Sequence, residues 1–306
     1  MASWRRDYKK PVETMDVALK KVDDLCSSLN ISVRRSQKMR NHTSIGIGGE
    51  IDCIAYPETV EAAAELVAGL NELEIRWSSL GAGSNLLVAD DFIDRVAISL
   101  KLLEELLLFD GAQVKMHGGY RLSRLAKASA ERGVSGLEVF ADHPGTVGAA
   151  IARDDRRRGV KLISKVETLL VARNGVVKKV SPRECLAEDL KLVLGCTMKL
   201  KEEEDKQLLC KTVDRYQQKQ MVKRSRYSVE PVFKPLRSRS VERLISEAGL
   251  RGFAVGEAAV ASWNANTIVN SGNATTADFL KLVDRVKNEV FKKSGLEIEL
   301  ALSVWN

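Results

Sequence analysis

The stretch Gly81-Ala82-Gly83-Ser84-Asn85-Leu86-Leu87-Val88 is a glycine-rich turn between two apolar, strand-like runs. Glycine has no Cβ, so the backbone N–H groups of such a turn can approach an anion closely. Two similar turns flank it, at residues 43–49 and 144–150. Three glycine-rich turns this close together in the chain predict a site for a nucleotide with a diphosphate.

The spacing of these glycines excludes two common nucleotide-binding motifs. None of the three turns matches the G-x-x-x-x-G-K-[ST] pattern of a P-loop or the G-x-G-x-x-G pattern of a Rossmann site. The sequence therefore favours a diphosphate site that is built differently from either of these.

Composition limits the class of protein. The 306 residues are enough for two or three compact units, and the net charge is +7. The sequence contains no run of about 18 apolar residues, so it predicts no transmembrane helix. The basic start lacks the apolar segment of a signal peptide. Aromatic residues do not interleave with the basic runs, so nucleic acid is not a favoured partner. The five cysteines are odd in number and lack a C-x-x-C pair, which favours reduced thiols in a cytoplasm over disulfides or a metal site.

Hydrophobic periodicity predicts a mixture of helices and strands, hence an α+β protein. Asn174-Gly175 is a typical two-residue hairpin turn. Amphipathic periodicity predicts helices, apolar runs predict strands, and the chain is expected to close with a strand over 297–304. The predicted helices cover 13–30, 59–71, 122–132, 201–223, 241–248 and 277–293, and the other predicted strands cover 51–57, 76–80, 96–100, 114–117, 162–172 and 191–199.

In this order, the three turns resemble those of the UDP-N-acetylmuramate dehydrogenase (UDP-N-acetylenolpyruvoylglucosamine reductase) family, FAD enzymes of bacterial cell-wall synthesis. The resemblance runs from about Asn41 to Leu300. Collinear matches include residues 133–138, 244–252, 268–270 and 296–299.

The resemblance implies a fold and a cofactor. It implies a two-subdomain FAD-binding region of the PCMH type over 36–200 and a smaller α+β substrate domain over 205–306, and the amphipathic periodicity before them predicts an N-terminal helical segment over 1–35. It also implies FAD as cofactor, NADPH as possible reductant, and a nucleotide-sugar or related small anion as ligand. The expected FAD contacts are Thr43, Ser44, Gly46, Gly48, Gly81, Gly83, Ser84, Asn85, Leu86, Pro144, Gly145, Thr146 and Gly148.

Two segments near the expected flavin depart from the family pattern. The family has Gly-Ile-Pro before the third turn, whereas this chain has Asp142-His143-Pro144, and we interpret His143 as a surface residue that could alternatively touch the flavin. After the turn, a Met-Asn-Ala-Gly-Ala-Tyr-Gly type segment of the family is replaced by the segment 151–159, whose charged run over 153–158 predicts a solvated loop.

Two catalytic groups of the family are also missing. The segment before the 191–199 strand is shortened, and it contains no arginine to match the family's Tyr-Arg pair. Pro231 takes the place of the proton-donating serine, and proline has no side-chain proton to give. Glu230 and Glu299, the latter at an acidic position that the resemblance implies is retained, are the candidate proton carriers, if the flavin and the apolar Val232-Phe233 segment desolvate a carboxyl and raise its pKa. The substrate contacts that the resemblance implies are Lys234 and Asn266.

Three functions remain open at this point. The first is an FAD-binding protein in which the family reaction is weak or lost, because two catalytic services are missing. The second is a competent flavin reductase that uses replacement residues. The third is a scaffold or interaction protein without cofactor, against which the retained glycine-rich turns argue.

Overall fold

A computed structural model describes residues 12–103, 106–221 and 227–306. Residues 1–11, the start of the helical segment predicted over 1–35, and residues 222–223, the end of the helix predicted over 201–223, lie outside this part of the chain. The described helices are α1 (Val12–Ser28), α2 (Val60–Glu72), α3 (Leu122–Ala130), α4 (Val147–Ala152), α5 (Lys206–Met221), α6 (Val241–Glu247) and α7 (Thr276–Ser294).

The described strands are short and mostly antiparallel. They are β1 (Ser32–Lys38), β2 (Glu50–Tyr56), β3 (Trp77–Ser79), β4 (Leu86–Val88), β5 (Ile93–Ile98), β6 (Leu107–Asp110), β7 (Gln113–His117), β8 (Val134–Ser135), β9 (Arg156–Arg157), β10 (Val160–Lys161), β11 (Val166–Arg173), β12 (Val176–Val180), β13 (Val193–Lys199), β14 (Lys201–Glu202), β15 (Ser228–Val229), β16 (Ala254–Val255), β17 (Ala258–Val260), β18 (Ile268–Asn270) and β19 (Ser303–Trp305).

Local sequence explains where several elements begin and end. Thr275 caps α7 by accepting from the N–H of Asp278, whose carboxylate accepts from the N–H of Thr275 in return. Gly295 ends the same helix in the left-handed conformation, at φ 68°. Asn174 and Gly175 have φ values of 51° and 74°, as a two-residue hairpin between β11 and β12 requires.

Two sheets form the first two-thirds of the described chain. One has the order β1-β2-β5-β3, with β5 parallel to both of its neighbours, and the other is antiparallel with the order β12-β11-β13-β7-β6. Helix α1 packs against β1 and α2, and α2 contacts β11 and β12 of the second sheet while sharing a core with β2 and β5 of the first. Helices α3 and α5 share the other core of the second sheet. Since β3 is an edge strand and ends at Ser79, two residues before Gly81, the predicted turn lies at the edge of the first sheet.

The C-terminal part has its own sheet and core. The sheet order is β15-β18-β17-β16, and α6 and α7 contribute to the same core. Ile45, Ile47 and Leu87 from the N-terminal half are also buried in this core. The two halves therefore share apolar packing, and the domain boundaries at 200 and 205 remain a prediction.

The predicted closing strand over 297–304 is wrong in extent. Only Ser303–Trp305 forms a strand, which pairs in parallel with β4. Leu300 forms an isolated bridge with Phe233, and Asn85 donates its side-chain N–H to the carbonyl of Ala301. The apolar pattern indicated an extended chain, but its hydrogen bonds go to two different parts of the molecule. Within the described residues, no helix is long and apolar enough to span a membrane.

Candidate functional site

A cleft lies between the first two sheets and consists of two adjoining hollows of about 550 and 590 Å³. Both hollows are lined by residues 79–82, by Ala149 and Ala152 on or near α4, and by Leu190 and Lys191 before β13. This is the size range of pockets that hold cofactors and small molecules.

The backbone of residues 81–85 offers hydrogen-bond donors to this cleft. The N–H of Leu80 still donates to the carbonyl of Ile98 in the neighbouring strand. The backbone N–H groups of Gly81 to Asn85 donate no hydrogen bond to any acceptor in the described part of the chain. Unsatisfied N–H groups at a partly buried turn are costly unless a ligand or water accepts from them, so this turn can receive an anion.

Close packing explains two of the glycines in the first two turns. A Cβ on Gly83 would lie 1.8 Å from the carbonyl oxygen of His42, and Gly83 has a φ of 65°. A Cβ on Gly46 would lie 2.7 Å from the ring of Tyr227. The N–H of Ser44 donates to the carbonyl of Gly83 at 2.9 Å, which joins the 43–49 turn to the 81–88 turn.

The 144–150 turn meets the 81–88 turn across the floor of the cleft. A Cβ on Gly81 would lie 3.0 Å from the Cβ of Ala149 and 3.1 Å from Oγ1 of Thr146. The predicted FAD contacts that line the cleft are Thr43, Ser44, Gly81, Gly83, Ser84, Asn85, Leu86, Thr146 and Gly148. Those that do not line it are Gly46, Gly48, Pro144 and Gly145.

His143 is buried, so its interpretation as a surface residue is wrong. Its side chain is 4% exposed, Nδ1 accepts the N–H of Gly145 at 3.0 Å, and Nε2 lies 2.8 Å from Oδ2 of Asp155. Because Nδ1 accepts, the proton is on Nε2 and the ring is neutral. Desolvation lowers the pKa of His143 despite the opposing effect of Asp155, in agreement with this tautomer.

The charged run over 153–158 is not simply the solvated loop that the sequence predicted. Arg153 donates to both carboxylate oxygens of Asp155, at 3.3 and 2.7 Å. Arg158 makes a similar two-point contact with Asp142 and lies 3.9 Å from the ring centroid of Tyr216. The contacts of Arg158 come from residues outside the charged run, 16 positions before Arg158 and on α5, and the run alone did not indicate them.

Cations dominate the walls of the cleft. Among the described residues, no Asp or Glu lines either hollow. The cations that line them are Lys101, Arg121 and Arg124 on one side, Arg76, Arg95 and Arg153 on the other, and Lys191 on both. A cleft whose described charged lining residues are all cations attracts phosphates and carboxylates. Sequence reasoning missed these residues, although Lys191 lies directly before the 193–199 strand, where a family cation was sought.

The shortened segment before β13 contains a buried carboxylate two residues before Lys191. Asp189 is 4% exposed and binds the guanidinium of Arg173 through both oxygens, at 3.0 and 2.6 Å. It also accepts the N–H of Leu186 at 2.8 Å. The Arg173 contact, with the Leu186 N–H, holds the pKa of Asp189 below its usual range.

The candidate proton carriers lie in the C-terminal part and do not line either hollow. Glu230 is exposed and accepts hydrogen bonds from Asn264 at 2.9 Å and Thr267 at 3.2 Å. Glu299 is 75% exposed and lies 2.9 Å from Nζ of Lys234. This contact lowers the pKa of Glu299, which is opposite to the rise expected from desolvation.

The segment around Pro231 is held by Asn266. Its side chain accepts the N–H of Phe233 at 2.8 Å and donates to the carbonyl of Phe233 at 3.0 Å. Val232 and Phe233 are 0% and 1% exposed in the C-terminal core. The described residues contain no group of three or more His, Cys, Asp or Glu that could hold a metal ion.

Two protein-family models match the chain. An FAD binding domain matches residues 51–174, and the C-terminal domain of UDP-N-acetylenolpyruvoylglucosamine reductase matches residues 223–305. These matches agree with the predicted fold class, a PCMH-type FAD-binding region followed by a smaller α+β domain.

Curated relatives and a solved structure span nearly the whole chain. UDP-N-acetylenolpyruvoylglucosamine reductases from Trichlorobacter lovleyi and Geobacter metallireducens are 32% and 31% identical, covering 86% and 90% of this chain and 89% and 96% of their own lengths. The crystal structure of the reductase from Thermus caldophilus has a TM-score of 0.75 and 28% identity, and covers 90% of this chain and 100% of its own.

Proposed function

The chain belongs to the UDP-N-acetylenolpyruvoylglucosamine reductase family, and on this premise we propose that it binds FAD in the cleft and accepts reducing equivalents from NADPH. The observation that carries the proposal is that the 81–85 N–H donors and the third glycine-rich turn meet in a cleft whose charged lining residues, within the described part of the chain, are all cations.

The residues of this chain fit the cofactor. Gly81 cannot carry a Cβ without pressing on Ala149 and Thr146, so the floor of the cleft stays open to a backbone-bound diphosphate. Ser84 and Asn85 add backbone donors, and the Ser84 hydroxyl adds a further one. When bound, FAD would supply hydride transfer between NADPH and the substrate.

The second ligand is a nucleotide-sugar or a related small anion. Lys234 and Asn266 are the proposed substrate contacts in the C-terminal part. The exposed Lys234 ammonium is available to an anion once it separates from Glu299, because an exposed ion pair contributes about 1 kcal/mol or less. Asn266 supports this site through the backbone of Phe233.

We further propose that turnover of the family substrate is weak or lost. A general acid is worth roughly two to four powers of ten in rate, and an electrostatic stabiliser about two to three. Pro231 cannot serve as the acid, and no arginine stands in the shortened segment before β13.

A competent reductase with replacement residues is the alternative that a specific observation favours. Lys191 lines both hollows at the end of the shortened segment, so it can offer a positive charge to an anionic intermediate. Glu230 precedes Pro231 and can offer a proton. The two proposals share FAD as cofactor and differ in the rate of turnover that they predict for the family substrate.

Three measurements on the purified protein test these proposals. The visible absorption spectrum should show flavin bands near one equivalent per chain, and their absence would favour the scaffold without cofactor. Anaerobic NADPH should bleach the bands, which separates a reductase from an inert binder. With UDP-N-acetylglucosamine enolpyruvate and NADPH, we expect turnover far below the order of ten per second that is typical of enzymes. A rate near ten per second would establish the replacement-residue alternative instead.

A further inference from the structure

One cation of the cleft wall is held in place by a chain of hydrogen bonds from the third glycine-rich turn. The N–H of Gly145 donates to His143, the Nε2–H of His143 donates to Asp155, and Asp155 accepts two hydrogen bonds from Arg153. Only Arg153 of these four residues lines the cleft. The Asp155 carboxylate thus lies behind the cation and outside the cleft wall.

The guanidinium of Arg153 retains binding capacity after this pairing. Asp155 occupies one N–H on Nε and one on Nη2, so three of the five guanidinium N–H groups remain for another acceptor. The Arg153 side chain is 27% exposed, which leaves it accessible from the cleft while its two-point contact restricts its rotamers.

The anionic character of the ligand follows from what shares the hollow with Arg153. That hollow is also lined by Gly83, Ser84 and Asn85, whose backbone N–H groups have no acceptor among the described residues. A guanidinium that shares a hollow with several backbone donors, where no described Asp or Glu lines the wall, is suited to phosphate oxygens. The diphosphate is the anionic part of FAD, since its flavin and adenine rings carry no comparable charge.

We propose that Arg153, held by Asp155 and His143, binds the diphosphate of the cofactor together with the 81–85 backbone. This inference rests on the proposed FAD function and names the diphosphate contact of that same site. Asp155 and His143 are positioning residues: they set the direction of the guanidinium and do not touch the ligand. Desolvation acts to raise the pKa of Asp155, but the contacts with His143 and Arg153 outweigh it and lower this pKa below its usual range. The carboxyl therefore stays ionised, as the positioning role requires.

The test measures the affinity of apoprotein for FAD by quenching of flavin fluorescence in wild type, Arg153→Met and Arg156→Met. Arg156→Met is the matched control, because it removes the same charge from an exposed residue of the same segment. We expect Arg153→Met to raise the Kd for FAD about 10- to 100-fold, since a charge-assisted hydrogen bond is lost, and Arg156→Met to change it less than about threefold. Equal effects of the two variants overturn the inference.

Two further measurements separate this inference from the proposed function and from misfolding. Inorganic pyrophosphate is titrated calorimetrically into the same proteins. If wild type binds pyrophosphate but not FAD, and Arg153→Met alone loses pyrophosphate, the proposed function fails while the diphosphate contact holds. If wild type binds neither ligand, both are overturned.

Arg153→Lys retains the charge but not the two-point contact. It should recover part of the affinity that Arg153→Met loses, and no recovery would mean that the defect is structural rather than electrostatic. The salt dependence of the Kd should be weaker in Arg153→Met than in Arg156→Met, because screening acts on the lost charge. Equal salt dependence in the two variants overturns the electrostatic role.

Discussion

The backbone N–H of Gly145 donates a 3.0 Å hydrogen bond to Nδ1 of His143, and the same ring occupies the space next to the Gly145 Cα. A Cβ on residue 145 would lie 2.7 Å from Cε1 of His143 and 3.5 Å from Oγ of Ser84. Gly145 therefore contributes to the cleft through packing, since its N–H is already satisfied inside the protein.

Gly145→Glu should abolish FAD binding. The new side chain would displace the buried His143 ring and place a carboxylate near Ser84, beside the proposed diphosphate position. The measurement is the flavin absorbance that remains with the purified variant, together with its far-UV circular dichroism to check the fold. Gly272→Ala is the control, because its Cβ would meet only the end of the Glu257 side chain. A folded Gly145→Glu variant as yellow as wild type would contradict the placement.

Asp52→Asn should stabilise the protein at pH 7.5. Asp52 is 8% exposed, and its Oδ1 atom is buried without a hydrogen-bond partner. Desolvation, with a further contribution from Asp94, raises the pKa of Asp52 from 3.8 to about 6. Asp52 ionises at lower pH in the unfolded state than in the folded state, so its ionisation lowers the free energy of unfolding. This destabilisation is absent below pH 3.8, grows as the pH rises, and is complete above about pH 6.

We expect a gain of about 1–3 kcal/mol in the free energy of unfolding at pH 7.5, because one pKa unit corresponds to about 1.4 kcal/mol. Urea unfolding at pH 7.5 and near pH 4 measures it, and the gain should largely vanish at the lower pH. Asp91→Asn makes the same chemical change at an exposed position. A gain that is the same at both pH values would show that the ionisation of Asp52 is not its cause.

Glu230→Gln and Glu299→Gln should differ from one another in stopped-flow kinetics. If Glu230 carries the proton, Glu230→Gln slows flavin reoxidation by substrate about a hundredfold and leaves reduction by NADPH unchanged. Glu299 is ionised beside Lys234, so Glu299→Gln should mainly change the substrate concentration needed for half-maximal reoxidation. If both variants match wild type in both half-reactions, neither carboxylate takes part.

Lys191→Met tests whether this residue replaces the missing arginine. If it does, reoxidation by substrate slows about a hundredfold, which is the usual cost of one electrostatic stabiliser. Reduction by NADPH should stay within about threefold of wild type. Lys178→Met serves as control, since Lys178 is exposed on β12 outside the cleft. Should the two variants reoxidise at equal rates, the charge at Lys191 has no catalytic role.

Local patterns predicted much of the fold because their causes are local. The capped helix at 276–294 and the hairpin at 174–175 depend on residues a few positions apart, and the structure has both. The final strand was wrong in extent, because residues 297–302 bond to distant segments. Glu299 similarly looked like a candidate for burial, yet its surroundings depend on where Lys234 is placed.

The sequence by itself determined that the chain carries glycine-rich turns in the order of a known FAD family, and that Pro231 replaces a serine. Both conclusions need only residue identity and spacing. The tertiary structure alone decided which N–H groups remain open at residues 81–85, and that His143 is buried. It also gathered the cleft cations, from Arg76 to Lys191, onto the walls of one cavity. These features depend on contacts between residues far apart in sequence, which the packing of two sheets and the shared C-terminal core creates.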